Sequence, residues 1–160
     1  QPAHRPLMHD DYRPEDFGIE PGPPLVSGEA FYELVQDNVG VGSRFDFSVQ
    51  QMRRGYVQLH LPFNARFLRP GDAISGPVQF TLADTALYAA VLSVIGMQPL
   101  AVTSHLDIHF LRRARPVALM AESRILKPGR RLMVGDVFLY SEGDRRPVGH
   151  ATSTYALPPK

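Results

Sequence analysis

The sequence predicts an α+β domain in which one antiparallel sheet wraps around a long buried helix. The first observation is an apolar run at residues 78–96, which is rich in Leu and Ala and ends at Gly96. The second is the alternation of apolar and polar residues, typical of β-strands, on both sides of that run. A helix that is apolar on most sides must be covered on most sides, so we expect the strands to enclose it.

Length and composition restrict the class of protein further. A chain of 160 residues, of which 44% are hydrophobic, fits a single domain with one substantial core. The formal net charge of +1 gives no global field that favours nucleic acid or an acidic membrane, so we expect neither as a partner. The absence of cysteine removes thiolate nucleophiles and Cys-ligated zinc, and it is compatible with the cytoplasmic location that we expect.

Residues 1–26 are expected to form an extended or cap-like arm, because they contain six prolines among charged residues. They show no apolar core of a signal peptide. Residues 27–160 are expected to form one domain. Its first element is predicted to be a helix at residues 28–40, which begins after Ser27 and ends at Gly40.

A β-hairpin is predicted next. Apolar and polar residues alternate over residues 44–52 and again over residues 56–63. Between them, the Arg-Arg-Gly of residues 53–55 indicates a turn. Residues 64–77 contain two Pro-Gly or Gly-Pro pairs and are expected to be a loop that leads into the long helix.

The apolar run itself has the length of a membrane span, but the polar residues within it make it a poor bilayer segment. We therefore interpret it as the core helix of the domain. Four strands follow it, separated by turn sequences, and are expected to form a meander. They are predicted at residues 101–111, 117–126, 132–140 and 147–157.

One acid, Asp84, lies near the start of this apolar helix. A carboxylate in such a place is costly unless it is paired, hydrogen-bonded or neutral. A structural role would be to brace Thr81 and Thr85 or to pair with an arginine. A functional role would be that of a general base or nucleophile.

Three sequence words resemble those of a known family: the Ser-Gly-Pro of residues 75–77, the Phe-Thr-Leu-Ala-Asp-Thr-Ala of residues 80–86 and the Ile-His-Phe-Leu-Arg of residues 108–112. With the order of elements, they resemble the hotdog-fold thioesterases, and among these the phenylacetate-pathway (PaaI-like) acyl-CoA thioesterases, over residues 44–157. The resemblance implies a hotdog fold and a homodimer or homotetramer with active sites at the subunit interface. It also implies an acyl-CoA or similar thioester as substrate, and no cofactor.

The resemblance implies roles for single residues as well. Asp84 matches the acid that acts as nucleophile or as general base on water. The backbone N–H of Gly76 matches the donor that polarises the thioester carbonyl. Thr103 best matches a hydroxyl residue that helps to position water from the neighbouring subunit. The family's usual His-Gly-Gly is Ser75-Gly76-Pro77 here.

Thr103 has a competitor in Ser104. Leu106, Ile108 and Phe110 define one face of the predicted strand, and Ser104 is in phase with them whereas Thr103 is not. Only a bulge or a position at the interface would let Thr103 reach the site. We therefore keep both hydroxyls, Thr103 for the resemblance and Ser104 for the periodicity.

Substrate-binding residues are expected beside the acid, in the loop before the helix and among the arginines. Arginine suits the phosphates of coenzyme A, although a solvated rim explains the arginines equally well. The family's upstream Asn has no match in register, and Asn64 could replace it only if the loop is reshaped. The predicted set is Asn64, Ser75, Thr85, Tyr88, Arg112 and Arg130.

A metal site is the rival interpretation of the same strand. His105, Asp107 and His109 alternate and therefore share one face, which is a conceivable metal triad. Residues two apart on a strand lie about 7 Å from each other, which is wide for one ion. A polar, partly solvated sheet face is the simpler interpretation, so no metal is predicted.

Together these observations predict an acyl-CoA thioesterase that hydrolyses its substrate to a free acid and coenzyme A. Three alternatives stay open. One is a hotdog dehydratase or hydratase, which would pair a histidine with the acid. The others are a non-catalytic acyl-CoA-binding protein and a purely structural oligomer.

Overall fold

The computed structural model describes residues 11–38 and 45–159. Three expectations lie outside the described residues. They concern the arm at residues 1–10, the end of the first helix at Gly40 and the start of the hairpin at Arg44.

The described part of the arm packs on the domain as a cap. It contains a short 3₁₀ helix, Pro14–Phe17. The buried side chain of Tyr12 donates a hydrogen bond to the backbone carbonyl of Ile125 over 2.9 Å. Ile19 and Val26 are buried in the main hydrophobic cluster. This part of the chain therefore contributes to the core instead of extending away from it.

The first helix, α1, spans Gly28–Asn38. Ser27 caps it, because its Oγ accepts a hydrogen bond from the backbone N–H of Ala30 over 3.1 Å. The side chain of Phe31 is fully buried and its ring lies edge-on to that of Tyr88, with centroids 5.7 Å apart. The helix therefore covers one side of the core.

The predicted hairpin is confirmed, with β1 at Ser48–Arg53 and β2 at Tyr56–Leu61. Gly55 lies in the turn between them with a φ of 85°, a left-handed conformation that glycine adopts without steric cost. The first strand begins later than predicted. Phe47, just before it, packs against Phe31 with ring centroids 6.0 Å apart.

The segment before the long helix carries more structure than the predicted loop. A 3₁₀ turn at Ala65–Phe67 is followed by two short strands, β3 (Leu68–Arg69) and β4 (Ala73–Ile74), which pair with each other. The backbone N–H of Ser75 then donates to the carbonyl of Phe67 over 2.9 Å. These bonds fix where the helix begins.

The long helix, α2, spans Gly76–Ile95 and so begins two residues before the predicted start. Pro77 is tolerated there because a first-turn N–H has no helical partner to lose. Gly96 ends the helix, as predicted, with a φ of 90°. Among the described helices, only α2 has the length and apolar composition of a membrane span, but 61% of its most apolar window is buried inside the domain.

The four predicted strands are present, with ends shifted by at most two residues. They are β5 (Val102–Phe110), β6 (Leu119–Lys127), β7 (Leu132–Ser141) and β8 (Pro147–Ala156). The sheet is antiparallel in the order β1-β2-β6-β7-β8-β5. The predicted four-strand meander is wrong in one respect: β5 pairs with β8, because both edges of β6 are taken by β2 and β7. Consequently, β5 is an edge strand.

The sheet wraps one face around α2, as the fold class predicted. The hydroxyl of Ser123 on β6 donates to the backbone carbonyl of Ala86 on α2 over 2.7 Å. On β7, a Cβ added to Gly135 would lie 2.5 Å from Cδ1 of Leu87 on the helix. The helix therefore lies close to the middle of the sheet, and its central residues are buried. This is the hotdog architecture.

Candidate active site

The acid of the apolar helix is held by two hydroxyl groups. The Thr103 hydroxyl donates a hydrogen bond to Oδ1 of Asp84 over 2.7 Å. The Tyr155 hydroxyl lies 2.8 Å from the same oxygen and 3.1 Å from the backbone carbonyl of Asp84. All three residues belong to one chain, so Thr103 reaches Asp84 without a neighbouring subunit. The role of Thr103 in positioning water for a neighbouring subunit, which the resemblance implies, stays a prediction.

Over the described residues, Asp84 neither braces Thr81 and Thr85 nor pairs with an arginine, which was the structural role considered for it. The hydroxyl of Thr81 donates to the carbonyl of Pro77 over 3.0 Å, and that of Thr85 donates to the carbonyl of Thr81 over 2.7 Å. Both threonines therefore bond to the backbone of their own helix. Within residues 11–38 and 45–159, no arginine forms an ion pair with Asp84.

A bulge in β5 brings Thr103 to the acid. Thr103 lies opposite Tyr155 on β8, but His105 lies opposite Thr154, so Ser104 is an extra residue in the register. The extra residue turns Thr103 to the helix-facing side. Ser104 is exposed, and its hydroxyl donates to the carbonyl of Thr154 over 3.1 Å. Periodicity alone therefore favoured the wrong hydroxyl.

Tyr155 was not among the residues predicted from the sequence. It lies 71 positions after Asp84, and its strand pattern marks only which face it occupies. Burial, and after it the negative charge of Asp84, raise the pKa of the Tyr155 hydroxyl far above its ordinary value. The group is therefore a hydrogen-bond donor throughout the working pH range.

A cavity of about 200 Å³ lies beside the carboxylate. Thr85 and Tyr88, both predicted to bind substrate, line it together with Asp84, Thr103 and Tyr155. The Tyr88 ring stacks on that of Tyr155 with centroids 5.8 Å apart, and its hydroxyl donates to the carbonyl of Pro99. Tyr88 therefore presents its ring, rather than its hydroxyl, to the cavity.

The proposed oxyanion donor lies elsewhere in the chain. Gly76 is the first residue of α2, where a backbone N–H has no partner within the helix. Asp84 follows eight residues later, about 12 Å along the helix axis. A Cβ added to Gly76 would lie 3.2 Å from the ring of Phe110, which is the last residue of β5, whereas Thr103 is the second residue of that strand. Within one chain, the acid and this N–H do not converge.

Two of the predicted substrate-binding residues, Ser75 and Asn64, lie before Gly76 in the chain. Ser75 is the N-cap residue of α2, and its side chain makes no capping bond. Oδ1 of Asn64 accepts a hydrogen bond from the N–H of Arg66 over 2.9 Å and caps the 3₁₀ turn. Neither residue bonds to Asp84.

The two predicted arginines lie at opposite ends of the sheet. Arg112 follows β5 and donates to the carbonyl of Pro147 over 3.0 Å. Arg130 lies in the turn between β6 and β7, at the end where β5 begins. Since β5 has nine residues, about 27 Å separates these ends, so one chain cannot place both arginines on one nucleotide.

The rival metal residues lie on the outer face of β5. His105, Asp107 and His109 pair with outward residues of β8 and are exposed. Nε2 of His109 lies 3.8 Å from Oδ2 of Asp107. In the part of the chain that the structure describes, no three His, Asp or Glu side chains are grouped as metal ligands.

Comparison with known proteins adds independent information. A model of the thioesterase superfamily matches residues 71–148, which contain Asp84 and Thr103. The solved structure of a candidate thioesterase from Silicibacter sp. is 34% identical, with a TM-score of 0.77, and the match covers 88% of this chain and 98% of that one. A candidate esterase from Saccharolobus solfataricus is 29% identical over 134 residues, 84% of this chain and 87% of that protein.

Two more distant solved structures share the fold. The E. coli PaaI protein from the phenylacetic acid degradation operon is 23% identical, with a TM-score of 0.67, and the match covers 79% of this chain and 94% of that one. A Streptococcus mutans protein, solved with bound acetyl-CoA, is 24% identical, with a TM-score of 0.66 and a match covering 72% and 90% of the two chains.

Proposed function

Since the chain belongs to the thioesterase superfamily and is a thioester hydrolase, as the resemblance predicted, we propose that it hydrolyses acyl-CoA thioesters in the manner of the PaaI-like branch. One observation carries the proposal: a carboxylate, Asp84, is fixed by a hydroxyl on the wall of a cavity. The similarity to a protein that binds acetyl-CoA supports coenzyme A as the thiol part of the substrate.

The hydrogen bonds of Asp84 support a general-base mechanism. The one hydrogen of the Thr103 hydroxyl is donated to Oδ1, so the oxygen of Thr103 is left as an acceptor. A water molecule in the cavity can then donate one hydrogen to Thr103 and the other to Oδ2 of Asp84. This orientation aims the lone pair of the water at a thioester carbonyl.

The reaction then balances with Asp84 as a proton carrier. Oδ2 takes a proton from the water as its oxygen bonds to the carbonyl carbon, and the carbonyl oxygen becomes an oxyanion. A backbone N–H stabilises that charge. When the intermediate collapses, the carbon–sulfur bond breaks and the proton passes from Asp84 to the leaving sulfur. The products are a free acid and coenzyme A.

The position of Gly76 supports the proposal that a second copy of the chain completes the site. β5 is a free edge strand, and apolar side chains beside or on it are exposed, among them Leu100 at 80% and Phe110 at 52%. If two copies pair β5 antiparallel about its midpoint, Thr103 of one lies near Phe110 of the other. Asp84 would then face Gly76 of the partner subunit. We therefore propose a homodimer, which can assemble further into a homotetramer.

The same pairing would bring Arg112 of one copy and Arg130 of the other to the same site. Antiparallel β5 strands bring the end that carries Arg112 in one copy to the end that carries Arg130 in the other. Both guanidinium groups would then flank one site, where they suit the phosphates of coenzyme A. One nucleotide would in this way contact two subunits.

The test is a screen for release of free coenzyme A from short, medium, long and aryl acyl-CoAs. We expect hydrolysis of at least one class, and a loss of at least about 100-fold for Asp84→Asn, the scale of losing a general base. Unchanged hydrolysis in Asp84→Asn would remove Asp84 from the mechanism. Saturable acyl-CoA binding without turnover by the unaltered protein would instead favour the non-catalytic binding protein.

A further inference from the structure

The buried tyrosine behind the acid has no part in the water-binding geometry described above. Its hydroxyl has one hydrogen to donate, and it lies closer to Oδ1 of Asp84, at 2.8 Å, than to the backbone carbonyl, at 3.1 Å. Oδ1 therefore has two donors, Thr103 from β5 and Tyr155 from β8. Among the described residues, none donates to Oδ2.

We infer that Tyr155 is a positioning residue of the reaction, which holds Oδ1 of Asp84 so that Oδ2 alone faces the reacting water. The inference rests on the proposed function and adds a residue to it. Tyr155 lies outside the three sequence words that resemble the family, which are residues 75–77, 80–86 and 108–112.

The geometric reason is that one bond does not fix a carboxylate. With Thr103 as the only donor, the carboxylate of Asp84 could rotate about its terminal torsion, which is broad, and exchange its two oxygens. A second donor from a different strand defines the plane of the carboxylate. Hydrogen bonds to an ionised group are also shorter and stronger than neutral ones, so both contacts resist that rotation.

The tyrosine is itself held rigidly. Its ring is buried, with 3% of the residue exposed, and it stacks on Tyr88 at an interplanar angle of 13°. The hydroxyl is also in reach of the backbone carbonyl of Asp84, so it stays beside this turn of α2. A rigid donor at a fixed distance is what a positioning role requires.

The variant Tyr155→Phe removes the hydroxyl and keeps the ring. We expect kcat for the best acyl-CoA to fall about 10- to 100-fold, the effect of losing one hydrogen bond to a charged group. KM should change less than about 3-fold, because phenylalanine keeps the ring that lines the cavity and the lost hydroxyl bonds to Asp84. In an Asp84→Asn background, Tyr155→Phe should cause no further loss, because its effect passes through Asp84.

The matched control is Tyr12→Phe. Tyr12 is also a buried tyrosine with a hydrogen-bonded hydroxyl, but it donates to the backbone carbonyl of Ile125 and belongs to the cap. We expect Tyr12→Phe, which removes only the hydroxyl, to lower the melting temperature about as much as Tyr155→Phe does and to leave kcat unchanged. In the converse variant, 4-aminophenylalanine at position 155 keeps the ring and a donor and should restore kcat to within about 3-fold.

The outcomes separate this inference from the proposed function. Full kcat in Tyr155→Phe, beside an inactive Asp84→Asn, overturns the role of Tyr155 alone. So does a loss that is fully additive with that of Asp84→Asn. If Tyr155→Phe does not fold, failure of the 4-aminophenylalanine protein to recover kcat while folded overturns it as well. If Asp84→Asn is fully active, the proposed mechanism fails, and this inference fails with it.

Discussion

The hydroxyl of Thr103 is 2.7 Å from Oδ1 of Asp84, and this contact depends on one extra residue in an edge strand. Without the bulge at Ser104, alternation would turn Thr103 away from the helix and put Ser104 in its place. The chemistry assigned to this hydroxyl therefore depends on a local irregularity of the backbone as much as on the residue type.

Replacement of Thr103 tests this contact. Thr103→Val keeps the shape but removes the donor to Oδ1 and the acceptor for water, so we expect kcat to fall about 10- to 100-fold. Thr103→Ser keeps the hydroxyl and should retain activity within about 3-fold. The measurement is steady-state release of coenzyme A by folded variants.

The neighbouring hydroxyl supplies the control. Ser104→Ala loses a bond to the exposed carbonyl of Thr154 and should leave kcat unchanged. A large loss in Ser104→Ala, with Thr103→Val fully active, would mean that the bulge is absent in solution. The phase predicted from simple alternation would then be the right one.

A mixture of two inactive variants tests the composite site. Asp84→Asn removes the base, and Gly76→Pro removes the backbone N–H at a first helical position, where proline is favoured. If each site combines Asp84 of one chain with Gly76 of the other, every mixed dimer has one intact site. After random reassociation of equal amounts, about a quarter of wild-type activity should return.

Gly76→Ala controls for the added side chain, since alanine keeps the N–H and meets the same ring of Phe110. It should retain more activity than Gly76→Pro. No recovery of activity in the mixture, with exchange of subunits shown by mass spectrometry of differently labelled chains, would place both groups in one chain. That outcome contradicts the 12 Å separation estimated along the helix.

The central helix and the hairpin could be predicted because their signals are local. A long apolar run that ends at Gly96, and two alternating segments around Gly55, fix the type of element from neighbouring residues alone. The order of the strands in the sheet was harder to predict from the sequence. That β5 crosses to the far edge, instead of pairing with β6, depends on which edges the other strands have already filled.

The candidate site shows the same division. Asp84 could be predicted because an acid in an apolar run is conspicuous in sequence, and Thr103 because a family resemblance supplied it. Tyr155 could not, because a contact over 71 positions leaves no local trace. The separation of Gly76 from Asp84 was also missed, although eight residues at 1.5 Å per residue already give about 12 Å.

The buried tyrosines lead us to expect that the protein loses stability at alkaline pH. All six have a pKa raised above the ordinary value of 10.0, and for the buried Tyr12, Tyr56, Tyr140 and Tyr155 the largest cause is burial. In the unfolded chain these groups ionise near pH 10, before the folded ones do. The free energy of unfolding should therefore be constant just below pH 10 and fall as the pH rises beyond it.

The measurement is urea unfolding at several pH values, together with absorbance of tyrosinate at 295 nm. Tyr140→Phe should reduce the slope of stability above pH 10, because one buried group no longer titrates on unfolding. Tyr32→Phe, at a partly exposed position, should change that slope less. Ionisation of most tyrosines near pH 10 in a protein that is still folded would contradict the burial of their hydroxyls.

Close packing of α2 on the sheet gives a prediction about stability. A Cβ added to Gly135 would lie 2.5 Å from the carbonyl oxygen of Arg124 and 2.5 Å from Cδ1 of Leu87. The first neighbour is backbone of the adjacent strand and cannot move cheaply. We expect Gly135→Ala to lower the free energy of unfolding by about 1–3 kcal/mol, measured by urea unfolding with an unchanged m-value.

Gly149→Ala is the matched control, because it lies on the next strand and its added Cβ would meet its nearest neighbour, Leu139, at 3.3 Å. A side-chain end can give way by a few tenths of an ångström, so this variant should stay within about 1 kcal/mol of the unaltered protein. Since Leu87 is three residues from Asp84, displacement of the helix by Gly135→Ala should also lower kcat. Equal stability of the two variants would mean that the helix does not pack this closely on β7.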